Sequence, residues 1–259
     1  MKANLLNKIN YIDKSLTSIS GVCILCYHSV HKSGPSRYPY SIPLIDFKRQ
    51  IDYLIETFEI SSVDSAINPV DEKHTEQNLK FIITFDDGYK NVIKNAVPFL
   101  ERRRVPSLFF LTSSLLSSNL NSFMNQKEAK NLNSSALFSV GSHANNHWNL
   151  LALESTDKKK QVVQSKIQLQ QILGSSIKYF AFPGGAQEPE IEDYLQEAGY
   201  KKAFLDNMKK KSELRRDFSI KRFCVKNMHK DLNTFKRDLW INSQHFSSCM
   251  RSLRGTNNE

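Results

Sequence analysis

No stretch of this sequence approaches the roughly 18 consecutive apolar residues of a membrane-spanning helix, and the first strongly apolar run, Val22 to Tyr27, is far too short to span a bilayer. The first 21 residues alternate polar and apolar side chains, without the apolar core of roughly 7 to 15 residues that a secretory signal peptide needs. Together these absences make the cytoplasm the expected location. Cysteine is scarce, with four in 259 residues, which excludes a disulfide scaffold. Cys23 and Cys26 form a C-x-x-C, but residues three apart on a strand point to opposite faces. No second C-x-x-C completes a zinc-ribbon spacing, so reduced thiols in the core are expected. Internal repeats and low-complexity linkers are missing too, and the chain reads as a single domain over residues 1–259. Its motif-bearing core covers 22–225 and a basic C-terminal region covers 226–259. Glycine numbers only nine, so glycines that cluster are informative.

Acidic residues are outnumbered, 26 against 36 Lys and Arg, for a formal charge of +10. Net charge speaks to association and solubility rather than to fold. The excess is local: residues 1–198 hold 21 basic and 20 acidic side chains, while residues 199–259 hold 15 and 6. No aromatic-interleaved RNA motif, helix-turn-helix or zinc finger accompanies it, so no nucleic-acid partner is expected. The basic quarter suits instead an anionic membrane surface or a phosphorylated lipid carrier, which would make the protein peripheral to the inner membrane face. Within it, Leu232 to Leu253 carries Phe235, Leu239, Trp240 and Phe246 among basic residues. The first expectation for this segment is the last helix of the fold; the second is an amphipathic helix lying on a bilayer.

Apolar periodicity alternates along the chain. Strands are expected at Val22 to Tyr27, Phe81 to Phe85, Ser107 to Leu111, Phe138 to Ser142, Ile177 to Phe182, Lys202 to Leu205 and Ile220 to Val225. Helices are expected from Asp46, with Phe47, Ile51, Leu54, Ile55 and Phe58 on one face, and at Asn91 to Arg103, Lys158 to Leu173 and Glu190 to Glu197. This rhythm implies βαβ units and a mostly parallel α/β sheet, open or closed into a barrel. Functional groups in such folds gather at the C-terminal ends of strands.

Four strand ends are polar. Phe85 is followed by Asp86-Asp87-Gly88-Tyr89, and two adjacent carboxylates repel unless a cation or a proton intervenes. That pair suits a metal or acid–base role and equally a helix N-cap with a spare acid. The strand ending at Ser142 runs into His143-Ala-Asn-Asn-His147, and two histidines four apart share one face of a helical turn and can chelate a divalent ion. Phe180-Ala-Phe182 runs into Pro183-Gly184-Gly185, either a plain loop or a rigid turn whose bare amides suit an oxyanion. The first strand ends in Tyr27-His28-Ser29. Phosphoryl transfer is disfavoured, because no Gly-rich phosphate loop accompanies Asp86-Asp87.

Ile83-Thr-Phe-Asp-Asp-Gly-Tyr89, Gly141-Ser-His-Ala-Asn-Asn-His147 and Phe180-Ala-Phe-Pro-Gly-Gly185 resemble the first three motifs of the family 4 carbohydrate esterases, the polysaccharide deacetylases. Leu25-Cys-Tyr-His-Ser-Val30 is similar to the "YH" opening of the branch that includes biofilm poly-N-acetylglucosamine deacetylases. The resemblance covers roughly Val22 to Val225. It implies a distorted (β/α) barrel with fewer than eight repeats and parallel strands, and one divalent metal ion, zinc first with cobalt or nickel as alternatives. It implies Asp87, His143 and His147 as metal ligands, Asp86 as general base and His28 as general acid. Pro183 and Gly184 would form the oxyanion and substrate side of the site. The implied reaction is hydrolytic removal of the N-acetyl group from an N-acetylhexosamine, with an N-acetylated glycan as substrate and acetate released. With no leader in view, a biosynthetic glycan intermediate is the expected form of that substrate.

Three positions depart from the family pattern. Ala144 stands where Ser or Thr usually follows the first histidine. Ala181 stands where many members place an arginine that orients the base; Arg222 is the candidate replacement, although composition alone suggests an exposed surface arginine. Gly184 replaces the usual aromatic after the proline and would open the pocket. A weak or inactive glycan-binding module on the same fold is the alternative that Ala144 and Gly184 suggest.

Overall fold

The computed structural model describes residues 11–32, 36–67, 78–118, 120–185, 188–206, 214 and 217–243. Residues 11–17 form a helix, α1. The strands β1 (Gly21–Tyr27), β5 (Leu79–Phe85), β6 (Ser107–Leu111), β7 (Phe138–Ser142), β8 (Tyr179–Ala181) and β9 (Lys202–Leu205) are all parallel to their sheet neighbours. All seven residues of β1 and all five of β6 are buried, as expected of parallel strands covered on both faces, which read as continuous apolar runs rather than alternating ones. A short strand β4 (Glu59–Ile60) pairs with the start of β5, and β2 (Ser29–His31) pairs with β3 (Ser41–Pro43) as a small separate sheet.

One stretch of chain closes the sheet. Ser219–Lys221 (β10) pairs with β9, and Phe223–Cys224 (β11) pairs with β1 on the other side of the path β10-β9-β8-β7-β6-β5-β1-β11. Only Arg222 separates the two pairings; its N–H reaches the Leu205 carbonyl (2.8 Å), and the Val225 N–H reaches that of Cys26 (2.9 Å). The sheet is thus a nearly closed parallel barrel wrapped by helices, the fold that the motifs implied. Aromatic side chains pack between the sheet and the surrounding helices, with Phe85 and Phe109 stacked at 4.9 Å between ring centres and Phe47 against Phe85.

The helices follow from local chemistry. In α2 (Leu44–Thr57), Phe47, Ile51 and Leu54 turn to the core at helical spacing. The single helix expected over Asn91 to Arg103 is two, α4 (Lys90–Asn95) and α5 (Val97–Arg103), broken at Ala96. Pro98 causes the break, because it has no N–H to give the preceding turn and its ring crowds that turn. Asn125 and Glu128 cap α6 (Gln126–Asn133) reciprocally. The long α7 (Ser155–Leu173) ends at Gly174 in the left-handed conformation, and α8 (Pro189–Glu197) starts on a proline. The strand expected at Ile177 to Phe182 is shorter, and α3 (Val63–Ile67) is a brief connecting helix. The last helix, α9 (Leu232–Asn242), is capped by Asp231 and buries Phe235 and Leu239 in the core. This bears out the first expectation for the segment; residues 244–253 of it, with Phe246 and Cys249, lie outside the described residues. Among the described residues no helix is long and apolar enough to cross a membrane.

Three strands meet tightly at Gly141. A Cβ there would lie 2.6 Å from the Phe110 ring and 2.9 Å from the Tyr179 carbonyl. Gly141→Ala is expected to cost about 1–3 kcal/mol through overpacking. Thermal unfolding should show a midpoint lower by several degrees; an unchanged midpoint would mean that β6, β7 and β8 do not approach so closely.

Candidate active site

Six strand ends contribute to one end of the barrel: His28 after β1, Asp86 and Asp87 after β5, His143 and His147 after β7, Pro183 and Gly184 after β8, Asp206 after β9, and Arg222 between β10 and β11. All of them except Pro183 and Asp86 line a single cavity of about 600 Å³. Pro183 is buried beneath it and shapes the turn. Asp86 is buried, at 1% exposure.

Asp87, His143 and His147 converge. The Nε2 atoms of His143 and His147 lie 3.2 and 3.0 Å from Oδ1 of Asp87. That oxygen is nonetheless buried without a hydrogen bond, so the ring nitrogens approach it without aiming at it. Three ligand atoms this close to one another are a set that a cation could organise. His143 donates from Nδ1 to the Ala181 carbonyl (2.9 Å), which leaves its Nε2 lone pair for a metal. The second Asp87 oxygen accepts from the Tyr38 hydroxyl (3.4 Å). A two-histidine, one-carboxylate set of this kind suits a divalent ion and leaves coordination positions open. The two histidines hold Asp87 well below the usual carboxylate range despite its burial. Burial works against a charged His143, but the charge of Asp86 and the contact with Asp87 outweigh it and raise its pKa.

The histidines are not brought together by a helical turn, as their spacing suggested. Residues 143–149 form a loop in which Ala144 and His147 both take positive φ, 59° and 55°. The N–H groups of Ser113 and Ser114 hold the loop through the carbonyls of Ala144 and Asn145, and Gln161 accepts from the Asn146 N–H (2.9 Å). Nor is the acidic pair a helix cap: Tyr89 occupies the N-cap position of α4, and the cap makes no side-chain hydrogen bond.

Asp86 has a separate cation. Arg222 grips it bidentately, Nη1 to Oδ1 at 2.8 Å and Nη2 to Oδ2 at 2.6 Å. Far from being an exposed surface residue, Arg222 is fully buried. It also bonds Asp206 and the Thr84 hydroxyl and lies over the Phe110 ring. The Cys26 thiol donates to Oδ2 of Asp86 (3.4 Å). Oδ2 is thereby saturated and one lone pair of Oδ1 is left over. Burial alone would raise the Asp86 pKa, but the adjacent guanidinium lowers it, so the carboxylate stays ionised. Two further groupings, Cys26–Asp206–Cys224 and Cys26–His28–Asp86, are also compact enough to ligate an ion. The Arg222 charge bonded to Asp86 and Asp206 makes both poor hosts for a cation.

His28 stands beside this pair, its ring tilted over Tyr40 at 4.7 Å between centres. One of its nitrogens lies within 4.8 Å of an Asp86 oxygen, which sets the candidate acid and base side by side. Gly184 has φ 58°, and a Cβ there would meet nothing within 4 Å. Gly185 gives its N–H to the Phe182 carbonyl, and among the described residues the Gly184 N–H has no acceptor. Sequence reasoning missed Asp206, Tyr38 and the contact of Cys26 with Asp86. Asp206 follows the strand Lys202–Leu205 directly and obeys the polar-end rule; Tyr38 sits in a connecting segment that carries no such signal.

The polysaccharide deacetylase family model matches residues 73–203. Among solved structures, IcaB from Ammonifex degensii superposes with a TM-score of 0.73 at 24% identity, over 88% of this chain and 98% of that one. The de-N-acetylase from Aggregatibacter actinomycetemcomitans gives 0.70 at 18%, over 83% and 98%. The Streptococcus pyogenes deacetylase PplD, in complex with acetate, gives 0.70 at 18%, over 84% and 99%. At these identities the likeness establishes a shared fold. No curated protein sequence matches the chain significantly.

The convergent triad yields a direct expectation. In zinc titrations followed by calorimetry, Asp87→Ala and His147→Ala should weaken binding by more than the roughly 10- to 100-fold that losing an outer-shell partner costs. Asp86→Asn should still bind one ion per chain. Equal affinity in all of these would place the ion elsewhere.

Proposed function

The chain belongs to the polysaccharide deacetylase family, and on that footing we propose that it is a metal-dependent hydrolase that removes the N-acetyl group from N-acetylhexosamine units of a glycan and releases acetate. The observation that carries this reading is the orphaned Oδ1 of Asp87 facing two histidine nitrogens, one residue from a carboxylate held ionised by its own arginine. The neighbours IcaB, the Aggregatibacter de-N-acetylase and the acetate-bound PplD support it by fold.

Asp87, His143 and His147 would hold the ion, with zinc the first choice. Bound there, a divalent ion supplies a water of lowered pKa and polarises the acyl carbonyl. Asp86 takes the proton of the attacking water on the lone pair of Oδ1 that Arg222 leaves open. Arg222, itself bonded to Asp206, keeps that carboxylate oriented and charged. The Gly184 N–H receives the oxyanion, a contact typically worth about 3–4 kcal/mol. His28 gives a proton to the amide nitrogen as the C–N bond breaks, because an amide anion cannot leave unprotonated. The amine stays on the sugar and acetate departs. The open side of Gly184 leaves room for a bulky glycan next to the reacting group.

Acetate release from N-acetylglucosamine oligomers and from polymeric or carrier-linked N-acetylated glycans is the test. A chelator should abolish release and added zinc restore it. Asp86→Asn and His28→Ala should each lower kcat by roughly 10²- to 10⁴-fold with an unchanged melting curve. Glycan binding without acetate release in the metal-loaded protein would contradict the enzymatic reading and leave a binding module.

A further inference from the structure

The cysteine that this chemistry leaves unused lies closest to it. Cys26 is the register partner of Cys224 across the β1–β11 pairing, and their sulfurs lie within 4.8 Å of each other. Adjacent strands run about 4.8 Å apart, inside the window of roughly 4.4–6.8 Å between Cα atoms that a disulfide spans. The two thiols differ in access. Cys26 is fully buried, its Sγ 3.4 Å from Oδ2 of Asp86 and 3.9 Å from Nδ1 of His28. Cys224 is half-buried, lines the cavity and donates to the Asp206 carbonyl (2.9 Å). One sulfur is thus open to solutes in the cavity and the other is sealed behind it, each touching a carboxylate residue that Arg222 bonds.

We infer that Cys26 and Cys224 form a reversible disulfide, an oxidation site in the cavity floor whose closure disarms Asp86. The oxidant class is a peroxide. The Cys224 thiolate attacks the O–O bond and becomes a sulfenic acid, and the other oxygen leaves with the thiol proton as water. The Cys26 sulfur then displaces hydroxide from the sulfenic sulfur, the S–S bond forms, and the Cys26 proton departs with the hydroxide as a second water. A dithiol reductant reverses the reaction. Burial pushes the Cys26 thiol well up, so Cys26 resolves the sulfenic acid rather than meeting the peroxide first. The new bond turns the Cys26 sulfur away from Asp86 and the Cys224 sulfur away from the Asp206 carbonyl, removing contacts on both sides of Arg222. The effect on turnover rests on the proposed hydrolase reading; the bond itself does not.

Full-length protein treated with hydrogen peroxide and mapped without reduction, after alkylation of remaining thiols, tests this. The expected product is one peptide pair linked through Cys26 and Cys224, with a chain mass lower by about 2 Da. Acetate release should fall by roughly tenfold or more and return with dithiothreitol, while Cys224→Ser keeps its own untreated rate under peroxide. The inference is overturned if both thiols stay free, if Cys224 ends as a sulfinic acid or pairs with Cys23 or Cys249, or if the linked pair forms with the rate unchanged. Should the reduced protein release acetate from no substrate, the hydrolase reading fails and the linked peptide alone decides the disulfide.

Discussion

The bidentate contact between Arg222 and Asp86 is the interaction on which the active end of the barrel depends. Asp86 and Asp87 are neighbours in sequence, both buried, and with Asp206 close by they bring three carboxylates to one barrel end. Like charges at such separations cannot all stay ionised in a low-dielectric setting without cations. Arg222 answers for Asp86 and Asp206 from inside the wall. Asp87 is left facing two histidines, and its uncommitted oxygen calls for a second, exchangeable cation. The adjacent acids thus divide into one held by an arginine and one whose oxygen faces two histidines.

The same residue closes the fold. Because Arg222 sits between the pairing of β10 with β9 and that of β11 with β1, its backbone completes the barrel while its side chain turns inward. Removing the guanidinium would leave the buried Asp86 carboxylate unpaired and the half-buried Asp206 without its partner, a loss larger than that of a surface ion pair. Holding Asp86 and finishing the sheet are therefore one structural event. In this chain the arginine is the single residue between β10 and β11.

The strands Ser107–Leu111, Phe138–Ser142 and Lys202–Leu205 were legible to the residue, because short, largely buried runs bounded by turn or polar residues read as strands. The candidate site was legible for a related reason: parallel strands all point one way, so polar residues just past their ends must share one rim. What local pattern does not encode is register across distant segments. Nothing near Cys224 announces Cys26 as its partner, and nothing near Arg222 announces Asp86, 136 residues away. The loop that brings His147 to His143 was likewise hidden, because its two positive φ values fall on Ala and His rather than on glycine.

X-ray absorption at the zinc edge of the zinc-loaded protein probes the convergence of Asp87, His143 and His147 most directly. Only nitrogen and oxygen neighbours at about 2.0–2.2 Å, with imidazole scattering beyond them, are expected. A sulfur neighbour at about 2.3 Å would put the ion on Cys26 and Cys224 and contradict the division of the two acids into a held base and a metal ligand.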